Sequence, residues 1–238
     1  MEKLADKNIL IVGATGGIGR NLVKQLVQSG ARVYMAARNR PALTSIGADL
    51  DLPSERLFTV DMTDDQSIAK LGEDIHSQVP FVDILVNAAG IGIIKPLDQL
   101  SLADFQQTIQ VNLTGTFLLV KTFLPNMRKA GKGLIINIPG VLGKVPMAGA
   151  AAYCASKYGL QGMMQSIREE LKRTEIRITS IYLGGVDSPF WDNIDLRIQK
   201  EKMIRSEEAA RAIWFLCQQP VSGVVSEMVL QPFNHQVI

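Results

Sequence analysis

Short apolar runs alternate with amphipathic stretches along the whole chain. Residues 8–12 (NILIV) are apolar at four of five positions, as in a strand that is buried on both faces of a parallel sheet. Residues 18–29 place their apolar side chains on one stripe and are followed by Gly30, which predicts a helix with a glycine stop. The same patterns predict further strands at residues 32–37, 56–60, 83–86, 133–138, 177–183 and 224–230, and further helices at residues 64–79, 101–127, 150–173 and 207–218.

The order of these elements favours an α/β fold. Strand and helix alternate about six times, which predicts a doubly wound parallel sheet of about seven strands with helices on both faces. Of the 238 residues, 47% are hydrophobic and 20% are charged, which excludes a disordered chain and favours a single domain over residues 1–238. The most irregular stretch, residues 184–206, predicts a substrate lid around residues 187–206.

Charge and cysteine content narrow the expected surroundings. The formal net charge is +2 and there is no long basic run, so we expect no nucleic-acid partner. Cys154 and Cys217 lack the spacing of metal ligands, so we expect no metal site and a reduced setting. The apolar run at residues 9–12 is too short for a signal sequence or a membrane span. We therefore expect a cytoplasmic protein without a membrane partner.

A glycine-rich segment joins the first predicted strand to the first predicted helix. Glycine lets the backbone turn tightly and approach a pyrophosphate without a Cβ in the way, and the helix N-terminus adds free N–H groups. We therefore expect a dinucleotide to be held by Gly13, Thr15, Gly17, Ile18 and Gly19. The alternative interpretation is a tight turn without a ligand.

The end of the second predicted strand bears on the choice of cofactor. An acidic residue there would bind the hydroxyls of the adenine ribose, but residues 36–40 read Ala-Ala-Arg-Asn-Arg. The guanidinium of Arg38 can instead pair with a 2′-phosphate. The sequence therefore favours NADP(H) over NAD(H), and the alternative is a solvated basic loop.

Several motifs follow one another in order along the chain. They are the glycine segment, Asp61 and Met62 after the third strand, Asn87-Ala88-Ala89-Gly90 after the fourth, Asn112 in a helix, and Tyr153 four residues before Lys157. In this order they resemble a classical short-chain dehydrogenase/reductase, with its Rossmann-type sheet, over nearly the whole chain. Because Gly16 and Gly17 are both present, the glycine spacing also fits the extended branch of that family. The short chain and the Asn-Ala-Ala-Gly motif favour the classical branch.

The resemblance implies roles for the matching residues. Asp61, followed by Met62, would hold the adenine amino group. Lys157 would hold the nicotinamide ribose, and Asn112 would hold a water of the proton relay. Asn87, Ala88 and Gly90 of the Asn-Ala-Ala-Gly motif would support or line the cofactor. Val186 and Ser188, which follow the sixth strand, would contact its carboxamide.

The pair of Tyr153 and Lys157 suggests a chemistry without the resemblance. Residues four apart share one face of a helix. A phenol with a pKa of about 10 is a poor base at neutral pH, and a neighbouring ammonium lowers that pKa because it favours the phenolate. The phenol would then exchange a proton with a carbonyl or alcohol oxygen while hydride moves. We predict Tyr153 as the acid/base, Lys157 as its activator and Asn112 as support.

One position departs from the family. A serine usually stands thirteen residues before the tyrosine and donates a hydrogen bond to the substrate oxygen, but here Gly140 stands there, after Pro139. Losing one such donor typically costs about 10²–10³ in kcat. We expect Gly140→Ser to raise turnover if that contact is merely missing. The departure also leaves an alternative open, which is a cofactor-binding sensor or scaffold with weak or no catalysis.

The sequence thus predicts an NADP(H)-dependent oxidoreductase that acts on a carbonyl or alcohol substrate. Dehydration or epimerisation on the same scaffold has little specific support. Cys154 is interpreted as a packed cysteine, since no histidine is near it in sequence. Phe190 and Trp191 either line a substrate pocket or pack without contacting substrate.

The two long predicted helices, residues 101–127 and 150–173, have wide apolar faces, which predicts a homodimer or homotetramer.

Overall fold

The centre of the molecule is a seven-stranded parallel sheet. The computed structural model describes residues 2–192, 194–220 and 222–238. Its strands are β1 (Asn8–Val12), β2 (Arg32–Ala37), β3 (Leu57–Thr59), β4 (Ile84–Asn87), β5 (Lys132–Asn137), β6 (Glu175–Leu183), β7 (Val186–Asp187), β8 (Ile204–Arg205) and β9 (Glu227–Leu230). The central sheet has the order β3-β2-β1-β4-β5-β6-β9, and β7 and β8 form a separate parallel pair.

Helices cover both faces of this sheet. They are α1 (Gly17–Gln28), α2 (Arg40–Asp49), α3 (Asp65–His76), α4 (Leu102–Ile109), α5 (Gly115–Ala130), α6 (Ala151–Leu171) and α7 (Ser206–Leu216). Successive residues of β1 point to opposite faces, so Ile9 and Ile11 pack in the layer of α1 and α7, whereas Leu10 and Val12 pack in the layer of α3, α5 and α6. The predicted doubly wound Rossmann-type α/β fold is confirmed. Within the described ranges, no helix combines the length and apolar character needed to cross a membrane.

The sheet order creates the crevice in which the predicted residues meet. Strands β1 and β4 are neighbours, although β2 and β3 lie between them in the chain. The winding therefore reverses between β1 and β4, and a crevice opens at their carboxyl ends. The glycine segment follows β1, and the Asn-Ala-Ala-Gly motif begins at the last residue of β4.

Helix α2 is absent from the sequence prediction, which assigned no helix or strand between residues 37 and 56. The side chain of Asn39 accepts a hydrogen bond from the backbone N–H of Ala42, and Pro41 stands in the first turn. Both features start helices. Only Leu43 and Gly47 of this helix are buried, so its apolar stripe is too weak to be read from periodicity.

The predicted helix over residues 101–127 is two helices joined by a π-helical turn. Helix α4 ends at Ile109, residues 110–114 are π-helical, and α5 continues to Ala130, where Gly131 ends it with a φ of 72°. A π turn inserts one residue into the helical ladder and often marks a functional site. Asn112 lies in the middle of this turn.

The irregular stretch before α7 is partly ordered by the pair of β7 and β8. Short 3₁₀ turns at Pro189–Trp191 and Lys200–Lys202 lie between these strands. The predicted lid, residues 187–206, contains Asn193, which lies outside the described residues. Several predicted ends differ as well, since β3 spans three residues and β9 four.

Candidate active site

The glycine segment forms a tight turn between β1 and α1 against the loop after β4. Gly13 has a φ of 84°, a conformation that favours glycine, and its N–H donates to Ala36 O at 2.8 Å. A Cβ at Gly13 would lie 2.6 Å from the backbone carbon of Ala88, and one at Gly19 would collide with the carbonyl oxygen of Gly13. Side chains are therefore excluded at both positions because backbones pack directly against each other.

The turn borders a cleft of about 230 Å³. Seven residues predicted to bind cofactor line it together: Gly13, Thr15, Arg38, Asp61, Met62, Ala88 and Gly90. Asp61 Oδ1 accepts hydrogen bonds from Thr63 N at 2.9 Å and from Thr63 Oγ1 at 2.8 Å. These bonds, with a smaller contribution from the charge of Arg38, hold the pKa of Asp61 below its usual value. The cleft wall therefore carries a carboxylate and a guanidinium side by side.

Asn87 lies beneath the cleft and is 4% exposed. Its Nδ2 donates to Thr116 Oγ1 at 2.8 Å, and its Oδ1 accepts from Ala89 N at 3.1 Å. The side chain thus fixes the turn that carries Ala88 and Gly90 to the cleft. Thr116 had no signal in the sequence, because its role depends on the pairing of α5 with β4.

The N-terminus of α1 meets the start of the lid. A Cβ at Gly17 would lie 2.8 Å from Ser188 Cβ, so the segment after β7 reaches the helix end that begins at Gly17 and Ile18. Val186 is buried in the core and Ser188 is half-buried beside this helix end. The structure thus places Ser188 at the glycine turn, whereas Val186 belongs to the packing beneath it.

Asn112 is held by three hydrogen bonds. Its Oδ1 accepts from Ile91 N at 2.9 Å, and its Nδ2 donates to Ile91 O at 2.9 Å and to Ser156 Oγ at 3.0 Å. The hydroxyl of Ser156 donates in turn to Tyr153 O at 2.7 Å. The π turn and α6 are therefore tied together next to the catalytic candidates. Ser156 was missed in the sequence analysis, although it stands inside the Tyr-x-x-x-Lys motif.

Lys157 is buried, with 4% exposure, and its Nζ donates to Ile138 O at 3.1 Å. Burial disfavours the charged ammonium and lowers the pKa of Lys157 to about 8. A Cβ at Gly90 would lie 3.2 Å from Asn112 Oδ1 and 3.5 Å from Lys157 Nζ. The glycine therefore brings the end of the cleft to both side chains.

Tyr153 shares the helix face of Lys157, whose Nζ lies 5.4 Å from the centre of the phenol ring. Burial among its neighbours raises the pKa of Tyr153, and repulsion from Cys154 raises it further. Burial thus shifts this pKa in the direction opposite to the lowering expected from Lys157. The phenol is protonated at neutral pH. Cys154 itself is half-buried beside it.

Gly140 follows β5 with a φ of 70° and a ψ of 168°. This region of conformational space belongs almost entirely to glycine, and a serine there would be strained by about 1–3 kcal/mol. The loop would have to change its backbone before a serine here could present its hydroxyl, so the expected rise in turnover of Gly140→Ser also depends on that change. Counting residues back from Tyr153 locates the position but carries no information about its φ.

Phe190 lies over the candidate tyrosine. The ring centres of Phe190 and Tyr153 are 5.8 Å apart, and the ring of Trp191 meets Phe190 edge-on at 5.2 Å. Phe190 therefore lies beside the catalytic candidate Tyr153, which favours the interpretation that it lines a substrate pocket. Trp191 packs behind Phe190 and is itself anchored, because Trp191 Nε1 donates to Val186 O at 2.8 Å.

These features define a Rossmann-type α/β protein with a glycine turn at its crevice and a tyrosine–lysine pair beside it. The family described as short chain dehydrogenase matches residues 7–199. The chain therefore belongs to the short-chain dehydrogenase/reductase family.

Individual relatives agree with this assignment. An uncharacterized oxidoreductase of Staphylococcus epidermidis is 30% identical over 98% of this chain and 100% of its own. A D-threitol dehydrogenase of Mycolicibacterium smegmatis is 32% identical over 90% of this chain and 86% of its own. The crystal structure of a metagenomic short-chain oxidoreductase in complex with NADP is 29% identical with a TM-score of 0.83, covering 97% of this chain and 99% of that one. Family membership and these relatives support an oxidoreductase activity.

Proposed function

We propose that the protein is an NADP(H)-dependent oxidoreductase that transfers hydride between nicotinamide and a carbonyl or alcohol carbon. The observation that carries this proposal is the meeting of Gly90, Asn112 and Lys157 at the end of the glycine-lined cleft, with the ring of Tyr153 beside Lys157. The proposal treats residues 1–238 as one dinucleotide-binding domain.

The residues present fit a dinucleotide. Gly13, Gly16 and Gly90 line the cleft without side chains, and the helix N-terminus that follows suits a pyrophosphate. The residues assigned to the cofactor are Gly13, Thr15, Gly17, Ile18, Gly19, Arg38, Asp61, Met62, Asn87, Ala88, Gly90, Tyr153, Lys157, Val186 and Ser188. When bound, the nicotinamide supplies or accepts the hydride.

The protonated phenol suits Tyr153 to donate a proton in carbonyl reduction, and the same group accepts the proton in the reverse reaction. Because burial raises the pKa of Tyr153, its hydroxyl carries a proton at neutral pH and donates it to a carbonyl oxygen that becomes an alkoxide. Lys157, with a pKa of about 8, is mostly charged at pH 7 and stabilises negative charge that develops nearby. Asn112 keeps α6 and the π turn in register through Ser156.

Turnover separates this proposal from the scaffold alternative. We expect the purified protein to oxidise NADPH in the presence of at least one member of a ketone and aldehyde panel, followed by the loss of absorbance of the reduced nicotinamide. Saturable NADPH binding with no oxidation across a broad panel would support a sensor or scaffold, for which the glycine at position 140 is the motivating observation.

The cofactor preference rests on Arg38, which lines the cleft and is exposed. We expect Arg38→Ala to weaken NADPH binding about tenfold and NADH binding much less, because only the 2′-phosphate loses a charge-assisted hydrogen bond. Isothermal titration with both cofactors measures the difference. Arg40→Ala is the matched control, since the Arg40 guanidinium donates to Leu57 O and should affect both cofactors equally. Equal weakening by Arg38→Ala would remove the preference for NADP(H).

The proposal extends to a cytoplasmic homodimer or homotetramer. Large apolar or aromatic side chains remain exposed on α4, α5 and α6, namely Leu102, Phe105, Phe117 and Tyr158. Large exposed apolar side chains on these helices favour a protein interface. A second copy of the chain is the proposed partner, besides the small carbonyl or alcohol substrate.

A further inference from the structure

The contact between Phe190 and Gly92 fills the space beside the candidate acid. A Cβ at position 92 would collide with Phe190 Cζ and would lie 2.9 Å from Cε2. The ring is therefore seated on bare backbone at Gly92, with the ring of Tyr153 on another side at 5.8 Å between centres. We call the space bounded by Gly92 and Tyr153, and occupied by the Phe190 ring, the aromatic socket.

The cleft and the aromatic socket are separate spaces. The cleft wall ends at Gly90 and Ile91, and neither Tyr153 nor Phe190 lines it. A carbonyl group that receives a proton from Tyr153 must approach that ring, where Phe190 now packs. A substituent of the substrate that reaches the face of the Tyr153 ring therefore competes with the Phe190 ring, whereas a small ketone does not need that place.

Three charged residues of the lid, Asp192, Lys200 and Arg205, form ion pairs at the surface. Lys200 Nζ lies 2.9 Å from Asp192 Oδ1, and Arg205 pairs with Glu208, all with substantial solvent exposure. Lys157, behind the Tyr153 ring, donates to Ile138 O, and the Phe190 ring itself contacts the Tyr153 ring and the backbone at Gly92. A flat apolar group in the place of the Phe190 ring would keep the contacts with the Tyr153 ring and with Gly92, whereas a carboxylate against these surfaces would lose hydration.

We infer that the ring of Phe190 stands in for a flat apolar substituent of the substrate. The substrate class is then a carbonyl compound with an aryl or similarly flat apolar group near its carbonyl, and this rests on the proposed function. Phe190 leaves the socket when such a group enters, while Trp191 stays anchored to Val186 O. Gly92 is the specificity-determining residue, because any side chain there shortens the socket.

A matched pair of methyl ketones tests the substrate class. Benzylacetone and levulinate carry the same two-carbon spacer and differ only in ending with a phenyl ring or a carboxylate, and butanone serves as the small reference. We expect kcat/KM for benzylacetone to exceed that for levulinate by about tenfold or more, since one extra apolar group in a pocket is worth about that factor or more. Similar values for the two ketones would overturn the inference.

Two substitutions are expected to act in opposite directions on benzylacetone. Phe190→Ala removes the competing ring, so KM should fall several-fold. Gly92→Ala places a methyl group in the socket, so KM should rise several-fold. The φ of Gly92 is not in the left-handed region, so alanine causes no backbone strain there. Butanone should change little with either variant. Parallel changes for all ketones would show a gate without selectivity and would overturn the inference.

Gly162→Ala is the matched control, because it lies on α6 with nothing within 4 Å of the added methyl group. It should leave all three ketones unaffected. A second measurement does not need turnover. In a Trp214→Phe background, Trp191 is the remaining tryptophan, and its emission should change with benzylacetone and NADPH but not with levulinate.

The two readouts separate failure of the inference from failure of the proposed function. A change of Trp191 emission without NADPH oxidation would contradict the oxidoreductase and keep the socket as a binding site for flat apolar groups. NADPH oxidation with butanone, without any emission change or preference for benzylacetone, would contradict the socket and keep the oxidoreductase.

Discussion

Tyr153→Phe is expected to lower kcat for carbonyl reduction by roughly 10³ while NADPH binding stays within a few-fold. The substitution removes the proton donor and retains the ring that packs against Phe190 at 5.8 Å. Stability should change little, because the ring contacts are kept and one hydroxyl contributes about 1 kcal/mol or less. Single-turnover absorbance measurements and isothermal titration of NADPH separate chemistry from binding.

Tyr158→Phe provides the control for this experiment. Tyr158 lies on the same helix, α6, but is 43% exposed, so the loss of its hydroxyl should leave kcat unchanged. If Tyr153→Phe retained most of its turnover, another group would be the proton donor. If the same substitution abolished NADPH binding, its effect on kcat would reflect the binding site rather than proton transfer.

The positions of the strands along the chain and of the glycine turn were accessible from the sequence because both have local causes. Buried parallel strands read as apolar runs such as residues 8–12, and Gly13 is required by its φ and by backbone packing. Helix α2 escaped detection because it buries only two residues, although Asn39 and Pro41 mark its start. A helix cap marks where a helix starts, but without a buried stripe it does not show how far the helix extends.

The details of the site depend on contacts that no spacing encodes. The π turn at residues 110–114 is stabilised where Asn112 bonds to Ile91 and Ser156, which are distant in the chain. The pKa of Tyr153 rises because of burial, which a four-residue spacing from Lys157 cannot report. The sequence motifs thus identified which residues lie together, whereas tertiary packing sets the pKa values of their side chains.

Lys157→Met is expected to stabilise the protein while it lowers kcat by about 10²–10³. Burial moves the pKa of Lys157 from 10.5 to about 8, which corresponds to ~3 kcal/mol of cost in the folded state at pH 7. Losing the hydrogen bond to Ile138 O offsets ~1 kcal/mol of that gain. The free energy of unfolding should therefore rise by ~2 kcal/mol, measured by urea denaturation at pH 7.

The pH dependence of this difference identifies its cause. Between pH 8 and 10.5 the unfolded chain holds a proton on Lys157 that the folded protein has released, so the stability of the wild type rises with pH across this window. The methionine variant lacks that rise, and its advantage should nearly vanish at pH 10. Lys24→Met, at an exposed position on α1, should show neither effect. If Lys157→Met were less stable than the wild type at pH 7, the lysine would be held for packing rather than retained for function at a cost in stability. If the variant were more stable by the same amount at every pH, the gain would not come from removing the charge of the lysine.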